Sequence, residues 1–283
     1  WRVQFSKQDA TRFDYWKRME FTREQWAGLK EHAEGKGLIF LSSPFSLEAI
    51  DLLSQIGIRA WKIASGEVRN EVLLDRLIKT KLPVLLSSGM SSWSELETTV
   101  ARLKTAAIPF LLMQCTSAYP CPPEHVGLKL LAEMKKRFGC EIGLSDHSGT
   151  IWPAVASIMT GAKAIEVHVT WDRTIFGPDA VASVTFAELK QMIEGIRFTE
   201  KMLSHPVDKE AETAGLERMR KMFGQSLVAA MELAEGTVLR PEHLATRKPL
   251  AGIPASEFSR GIGAKLRRKL SPGEFLQSAD IQK

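Results

Sequence analysis

Two histidines in similar surroundings carry the clearest chemical signal in this chain. His147 ends the apolar stretch Glu141–His147, and His168 lies in the apolar stretch Ala164–Thr170, with a helix-length segment between them. A lone histidine at a strand end is usually a satisfied polar residue, but two imidazoles on neighbouring ends of parallel strands could share one metal ion. Two protein ligands leave most coordination positions to water or substrate, which favours a labile Lewis acid over a structural ion.

A lysine inside a predicted strand is the second signal. Lys62 lies within Trp61–Glu67, and because burying an unpaired ammonium is costly, it must be paired or face a polar site. It could form a Schiff base with a carbonyl substrate, or it could bind a phosphate or carboxylate as a fixed cation. Serines at neighbouring strand ends favour the anion site, although they could also serve only as helix caps. These serines are Ser43, Ser65, Ser87 and Ser145.

Two loops beside these strands add polar groups. Gly177–Asp179 follows the strand of His168 and could deliver a carboxylate over the site, although its simpler interpretation is a turn. The proline-stiffened segment Cys115–Pro123 carries Tyr119, which could hydrogen-bond a polar ligand or simply pack. These side chains can act together only in a fold that gathers the ends of its strands.

Strand-like and helix-like segments alternate through most of the chain. Apolar residues recur at helical spacing in Arg23–Ala33 and in Ser46–Leu53, where Ser46 fits an N-cap. Thr185–Glu188 resembles a capping box at the start of a later helix. The strands predicted between the helices are Arg2–Phe5, Leu38–Ser42, Ala60–Ala64, Pro83–Ser87, Phe110–Cys115, Glu141–Leu144 and Ala164–Val169.

This alternation predicts an α/β protein with a buried parallel sheet. A closed TIM barrel, (β/α)8, requires eight strands, and we expect its first strand to precede Trp1. Polar residues recur at the C-terminal ends of nearly all the predicted strands, and in a barrel those ends converge on one mouth. In an open doubly wound sheet, which is the alternative, groups at the two edges could not meet.

The composition changes after about residue 205. We predict a barrel domain over residues 1–204, a polar linker over residues 205–222 and a small domain over residues 223–283. Short apolar runs punctuated by glycine and proline predict that the small domain is mostly β, with many turns and little helix.

Composition also argues against several classes of function. The chain has 283 residues and a net charge of +5 that is spread along its length, which favours small anionic substrates over nucleic acid. No run of about 18 apolar residues is present to span a membrane. The three cysteines are odd in number and lack metal-site spacing, so we expect reduced thiols and a cytoplasmic protein.

An ordered series of motifs runs through the chain: Ser42–Phe45, Lys62–Glu67, Leu86–Met90, Cys115–Pro120, Gly143–His147, Glu166–Val169 and Gly177–Asp179. In this order and spacing they resemble the sialic acid synthase family, the phosphoenolpyruvate-dependent nonulosonate synthases. The final segment, with Lys248–Ile253, resembles that family's antifreeze-like (SAF) domain. The resemblance implies a TIM barrel, a linker and a SAF domain that closes the partner's active site in a domain-swapped homodimer.

The resemblance also implies a reaction, in which phosphoenolpyruvate condenses with N-acetylmannosamine or a related N-acyl hexosamine to give a sialic acid-type nonulosonate and phosphate. His147 and His168 would hold a divalent metal, with Mn²⁺ expected and Mg²⁺ or Co²⁺ as alternatives. The residues implied around phosphoenolpyruvate are Arg2, Ser43, Lys62, Ser65, Ser87, Ser117 and Ser145. Those implied around the sugar and the reacting carbons are Gln4, Glu67, Tyr119, Asp179 and Lys248. Among all of these, the implied catalytic residues are Lys62, Glu67 and Asp179.

The sequence departs from the family pattern at places that bear on the substrates. Arg2 replaces a lysine and keeps its charge but not its compact ammonium. Lys248 replaces an arginine that contacts the sugar's N-acyl group, and Leu250 replaces a glycine. The family's first-strand glutamate and its Asn-His loop would fall before Trp1. The acceptor sugar therefore stays open, with legionaminate-type and pseudaminate-type precursors as alternatives.

Two rival hypotheses remain on the residues alone. Lys62 could make the protein a Schiff-base (class I) aldolase. Alternatively, the barrel could be a scaffold whose tail binds a carbohydrate or another partner without catalysis. The concentration of polar groups at one set of strand ends argues against the scaffold.

Overall fold

The computed structural model describes residues 6–282. The predicted strand Arg2–Phe5, with the predicted site residues Arg2 and Gln4, lies outside the described residues. The chain divides into two compact units between His205 and Pro206.

Helices and strands alternate in the first unit, as the sequence predicts. In chain order they are α1 (Arg12–Met19), α2 (Arg23–Gly35), α3 (Leu47–Ile56), β1 (Trp61–Ile63), α4 (Glu71–Lys79), β2 (Val84–Ser87), α5 (Trp93–Thr105), β3 (Phe110–Cys115), α6 (Leu128–Phe138), β4 (Glu141–Asp146), α7 (Trp152–Ile158), β5 (Ala164–Thr170), β6 (Ser183–Thr185) and α8 (Phe186–Ser204).

The six strands β1 to β6 form one parallel series in which every strand pairs with its neighbour in sequence. The strand order of a doubly wound sheet reverses at a switch point, whereas the wall of a barrel keeps the sequence order. Within residues 6–282 the strands therefore form a curled half-barrel of TIM-like fold, with six of the eight strands that a closed barrel requires.

Two strand predictions differ from the structure. Leu38–Ser42 is not a strand among residues 6–282, where only Ser42 finds a partner, through a single parallel bridge to Trp61. Conversely, β6 follows β5 as a further parallel strand that was not predicted. Its three residues, Ser183–Thr185, are too few and too polar to form a recognisable apolar run. The strand of His168 therefore has a neighbour on each side and does not end the series.

The helices begin where their capping residues predict. Ser46 Oγ accepts a hydrogen bond from the Ala49 amide at 3.1 Å, at the start of α3. Thr185 and Glu188 form a reciprocal capping box at the start of α8. These bonds satisfy amide groups that have no partner within the first turn of the helix.

The core of the first unit lies between the sheet and the helices around it, and β1 shows how its side chains are divided. Trp61 and Ile63 are buried in the core at 0% and 1% exposed. The Trp61 indole donates a hydrogen bond to Thr80 Oγ1 at 2.8 Å. Because strand side chains alternate between faces, Lys62 points to the opposite side from Trp61 and Ile63. The apolar core thus fixes the direction of the one charged residue on this strand.

The second unit is small and combines short helices with short strands: α9 (Lys209–Ala214), α10 (Glu217–Phe223), β7 (Ser226–Ala229), β8 (Leu244–Arg247), α11 (Phe258–Gly261), β9 (Lys265–Leu266) and β10 (Ile281–Gln282). The pairs β7–β8 and β9–β10 are antiparallel. The segment predicted as a linker contains the helix α9 and most of α10. The unit has its own core, formed mainly by leucines such as Leu227, Leu266 and Leu276.

Within residues 6–282, no helix combines the length and the apolar character needed to cross a bilayer.

Candidate active site

A cavity of about 440 Å³ opens at the C-terminal ends of strands β1 to β5. Sequential parallel strands place these ends side by side, so residues far apart in the chain meet here. The cavity brings together nine of the predicted site residues: Ser43, Lys62, Ser65, Ser87, Ser117, Tyr119, Ser145, His147 and His168. Cys115 and Glu166 also line it, although neither was predicted as a site residue.

Lys62 is held as a hydrogen-bond donor at the base of the cavity. Its Nζ donates to Ser87 Oγ at 2.7 Å and to the Ile63 carbonyl at 3.4 Å, and it lies 3.4 Å from Glu166 Oε1. The residue is only 9% exposed. All three neighbours are hydrogen-bond acceptors. They suit a charged ammonium better than the free amine that a Schiff base needs. The geometry therefore favours the anion-binding interpretation of Lys62.

Glu166 is the residue that sequence reasoning missed here. Its Oε1 accepts a hydrogen bond from Ser145 Oγ at 2.8 Å, and β4–β5 register places these two residues directly opposite each other. The alternation along β5 contained the signal, because Glu166 and His168 are two residues apart and must share a face. The carboxylate connects Ser145 with Lys62 across the sheet.

Gly89, after β2, lets three polar side chains converge. A Cβ at Gly89 would lie 2.5 Å from Ser65 Oγ, 2.8 Å from Ser117 Oγ and 3.0 Å from Cys115 Sγ. Ser65 also donates a hydrogen bond to the Cys115 sulfur at 3.4 Å. Burial disfavours the Cys115 thiolate, but hydrogen bonds with His147 and Ser65 outweigh that cost and lower the pKa of the thiol.

We predict that Gly89→Ala will disturb the site more than the fold. The new methyl group must push Ser65, Ser117 or Cys115 aside. We expect a loss of about 1–3 kcal/mol in the free energy of unfolding, and a fall in turnover efficiency of roughly 10–100-fold from misplaced groups.

Denaturant titration and steady-state kinetics would measure both effects, with Gly28→Ala in α2 as the control. A Cβ at Gly28 meets nothing within 4 Å, so this variant should keep full activity. Normal kinetics for Gly89→Ala would show that these hydroxyl groups do not contact substrate.

His147 is buried, and one backbone contact determines its tautomer. Its Nδ1 lies 3.0 Å from the Thr116 carbonyl oxygen. A carbonyl only accepts, so Nδ1 carries the hydrogen, and Nε2 is the nitrogen that could bind a metal in the neutral ring. Burial opposes protonation, but hydrogen bonds with Cys115 and with the Thr116 carbonyl hold the pKa of His147 above its ordinary value.

His168 faces His147 across the cavity. The two ring centroids are 5.2 Å apart and the rings are nearly perpendicular, at 78°. Asp179 Oδ2 lies 3.6 Å from His168 Nδ1, which leaves Nε2 directed elsewhere. Burial lowers the pKa of His168, despite the nearby Asp179 carboxylate, and favours the neutral ring that binds metals.

Tyr119 packs against both imidazoles. Its ring centroid is 4.2 Å from that of His147 and 5.8 Å from that of His168. Burial raises the pKa of its phenol, which therefore keeps its proton and can donate a hydrogen bond to a polar ligand. The side chain is still 47% exposed, so it is open to the cavity.

Two imidazoles whose Nε2 atoms are not bound to a carbonyl fit a divalent ion that takes its other ligands from water and substrate. Among residues 6–282, no group of three or more His, Cys, Asp or Glu side chains is arranged to hold a metal by itself. The donor set therefore suits an exchangeable Lewis acid rather than a structural ion.

Two acidic side chains beside these strands do not line the cavity. Glu67 does not line the cavity, and its carboxylate accepts a hydrogen bond from Asn70 Nδ2 at 2.7 Å. Asp146, beside His147, turns away and accepts hydrogen bonds from the amide and hydroxyl of Ser148. Lys248 belongs to the second unit, where its ammonium lies 5.4 Å from the centre of the Phe223 ring.

Comparison with known proteins places these features in a family. Residues 2–208 match the model of the NeuB family, and residues 224–282 match that of the SAF domain. The N,N'-diacetyllegionaminic acid synthase of Campylobacter jejuni is 30% identical over 98% of this chain and 83% of its own length. The human N-acetylneuraminate-9-phosphate synthase is 32% identical over 88% of this chain and 69% of its own.

Solved structures agree with the sequence comparison. The N-acetylneuraminic acid (sialic acid) synthetase of Leptospira borgpetersenii, crystallised in complex with citrate, superposes with a TM-score of 0.67. It is 33% identical, and the match covers 71% of this chain and 72% of that one.

Proposed function

This chain belongs to the NeuB family, and from that membership we propose that it condenses phosphoenolpyruvate with an N-acyl hexosamine to give a nonulosonate and phosphate. One observation carries the proposal. The cavity places a lysine ammonium surrounded by serine hydroxyls next to two imidazoles able to bind a divalent metal. Such a site offers an anion-binding part for one substrate and an electrophilic part for the other.

Lys62 and the serines would bind phosphoenolpyruvate. An ammonium and several hydroxyl groups are donors, and both the phosphate and the carboxylate of this substrate are acceptors. Fixing both groups orients the enol carbon toward the other half of the cavity. The hydroxyl donors that we assign to this substrate are those of Ser43, Ser65, Ser87, Ser117 and Ser145.

His147 and His168 would hold the divalent metal, which we propose is Mn²⁺, with Mg²⁺ or Co²⁺ as alternatives. When bound, such an ion supplies Lewis-acid polarisation of an aldehyde oxygen. The Thr116 carbonyl orients the His147 ring, so Nε2 is the nitrogen that would take the metal.

The chain's own groups can support each bond change. The enol carbon of phosphoenolpyruvate forms a bond to the aldehyde carbon, positive charge develops at the carbon bearing phosphate, water adds there, and phosphate leaves. The Lys62 ammonium binds the phosphate and carboxylate through this sequence. Tyr119 can donate a hydrogen bond to the sugar, and Asp179 can accept one from a sugar hydroxyl or from the attacking water. We keep a role for Glu67 near the sugar as a prediction.

An assay of phosphate release tests this function. The protein would be incubated with phosphoenolpyruvate, Mn²⁺ and, separately, N-acetylmannosamine and the amino sugars that lead to legionaminate and pseudaminate. We expect phosphate release with one acceptor above all others, and loss of release on chelation. No release with any acceptor would refute the proposal, and the preferred acceptor would identify the sugar.

We also propose that each SAF domain completes the site of the other subunit in a swapped homodimer, as the family resemblance implies. Lys248 would then reach the sugar bound at the partner's histidines. Further strands would close the half-barrel into a barrel of eight. A crystal structure showing Arg2–Phe5 paired beside Ser42 would verify this closure.

Mixing two inactive variants tests the exchange of domains. We expect neither His147→Ala nor Lys248→Ala to be active alone. After unfolding and refolding together, about a quarter of the sites should regain activity, because half the dimers are mixed and each has one intact site. If Lys248 acts within its own subunit, mixing will restore nothing.

A further inference from the structure

Glu166 places a carboxylate inside the cavity that we propose binds an anion. Its Oε1 accepts the hydrogen bond of Ser145 and lies 3.4 Å from Lys62 Nζ. Ser145 and Lys62 are donors that phosphoenolpyruvate and phosphate would need. A phosphate that reached both would have to take the place of this carboxylate.

If the carboxylate stayed in place, a phosphate bound to the same two donors would lie close to it, and the two negative groups would repel each other strongly. Charges about 4–5 Å apart near a protein surface interact strongly enough to change a binding constant by ten-fold or more. A carboxylate in this position therefore weakens anion binding, so its presence needs another reason. Its contacts suggest that reason.

Lys62 needs a partner when no substrate is bound. At 9% exposed, its ammonium has lost most of its water, and a buried charge without an opposite charge is costly. Among the residues described, the carboxylate within 4 Å of Lys62 Nζ is that of Glu166. Glu166 therefore compensates the charge of the empty site.

We infer that Glu166 is an internal counter-ion that competes with phosphate for Lys62 and Ser145. This inference rests on the proposed function of the cavity as a phosphoenolpyruvate site. The competition keeps the affinity for phosphate low, and so favours release of the phosphate that each turnover produces. A residue that only positioned Lys62 would have the opposite effect, since its loss would weaken anion binding.

The variant Glu166→Gln separates these two roles. Glutamine keeps a side-chain oxygen that accepts from Ser145 but removes the negative charge. We would titrate inorganic phosphate into the wild-type protein and the variant by calorimetry at one fixed ionic strength. We expect the variant to bind phosphate at least about ten-fold more tightly, and phosphate to become a correspondingly stronger product inhibitor. The control is Glu141→Gln, at the exposed first residue of β4, which should leave phosphate binding unchanged.

Each outcome decides the matter. Tighter binding by Glu166→Gln supports the inference, because a damaged site would not bind better. Unchanged or weaker phosphate binding by a variant with normal circular dichroism overturns the inference. In that case, phosphate binding by the wild type would still leave the proposed function standing. If neither protein binds phosphate or phosphoenolpyruvate, both the anion site and the inference are wrong.

Discussion

Replacing His147 with alanine will abolish turnover and metal binding while the protein stays folded. In the proposed site His147 would supply one of two Nε2 atoms for the ion, and one imidazole alone holds a divalent metal weakly. Loss of the ion removes several kcal/mol of charge stabilisation, so we expect turnover to fall by at least about 10³-fold. Mn²⁺ titration by calorimetry and steady-state kinetics would measure the two losses.

The matched control is His32→Ala, which removes an exposed histidine from α2. It should bind Mn²⁺ and turn over like the wild type. His168→Ala should fail in the same way as His147→Ala, because the two rings lie 5.2 Å apart and would share one ion. If His147→Ala keeps near-normal activity, the metal assignment is wrong.

Replacing Lys62 with methionine is the second change with a large expected effect. Methionine is similar in length but removes the ammonium that contacts Ser87 and Glu166. It leaves the Glu166 charge without its partner and removes the main cation of the anion site. We expect the efficiency with phosphoenolpyruvate to fall by about 10²–10³-fold, with weaker binding of phosphate in calorimetry.

Two further variants distinguish the anion site from a Schiff base. Lys79→Met removes an exposed lysine from α4 and should have no effect. Lys62→Arg keeps the positive charge and should retain part of the activity if Lys62 binds an anion, but none if its amine forms a covalent bond. Borohydride trapping with pyruvate should leave Lys62 unlabelled, and a mass increase on Lys62 would instead support the aldolase.

The pairing of the two histidines could be predicted because it depends on short-range rules. Apolar runs marked β4 and β5, and parallel strands that follow one another in sequence usually lie side by side. Two-residue alternation then puts Ser145 and His147 on one face of β4, and Glu166 and His168 on one face of β5. The same rule would have predicted Glu166 as a site residue, had it been applied to every polar residue on the strand.

The missed strand β6 depends on a contact that no local pattern contains. The three residues of β6 form a strand only because β5 offers a free edge. The helix α9 in the predicted linker, by contrast, begins at Asp208, whose fit to an N-cap was overlooked.

The most direct test of the central claim is the product formed from phosphoenolpyruvate and the preferred N-acyl hexosamine in the presence of Mn²⁺. Mass spectrometry would quantify the 2-keto acid, and a parallel assay would quantify phosphate. The account predicts a nine-carbon 2-keto acid in equal amount to the phosphate released, and neither product from His147→Ala. Phosphate without the keto acid, or no keto acid from any hexosamine with the folded wild-type protein, would contradict it.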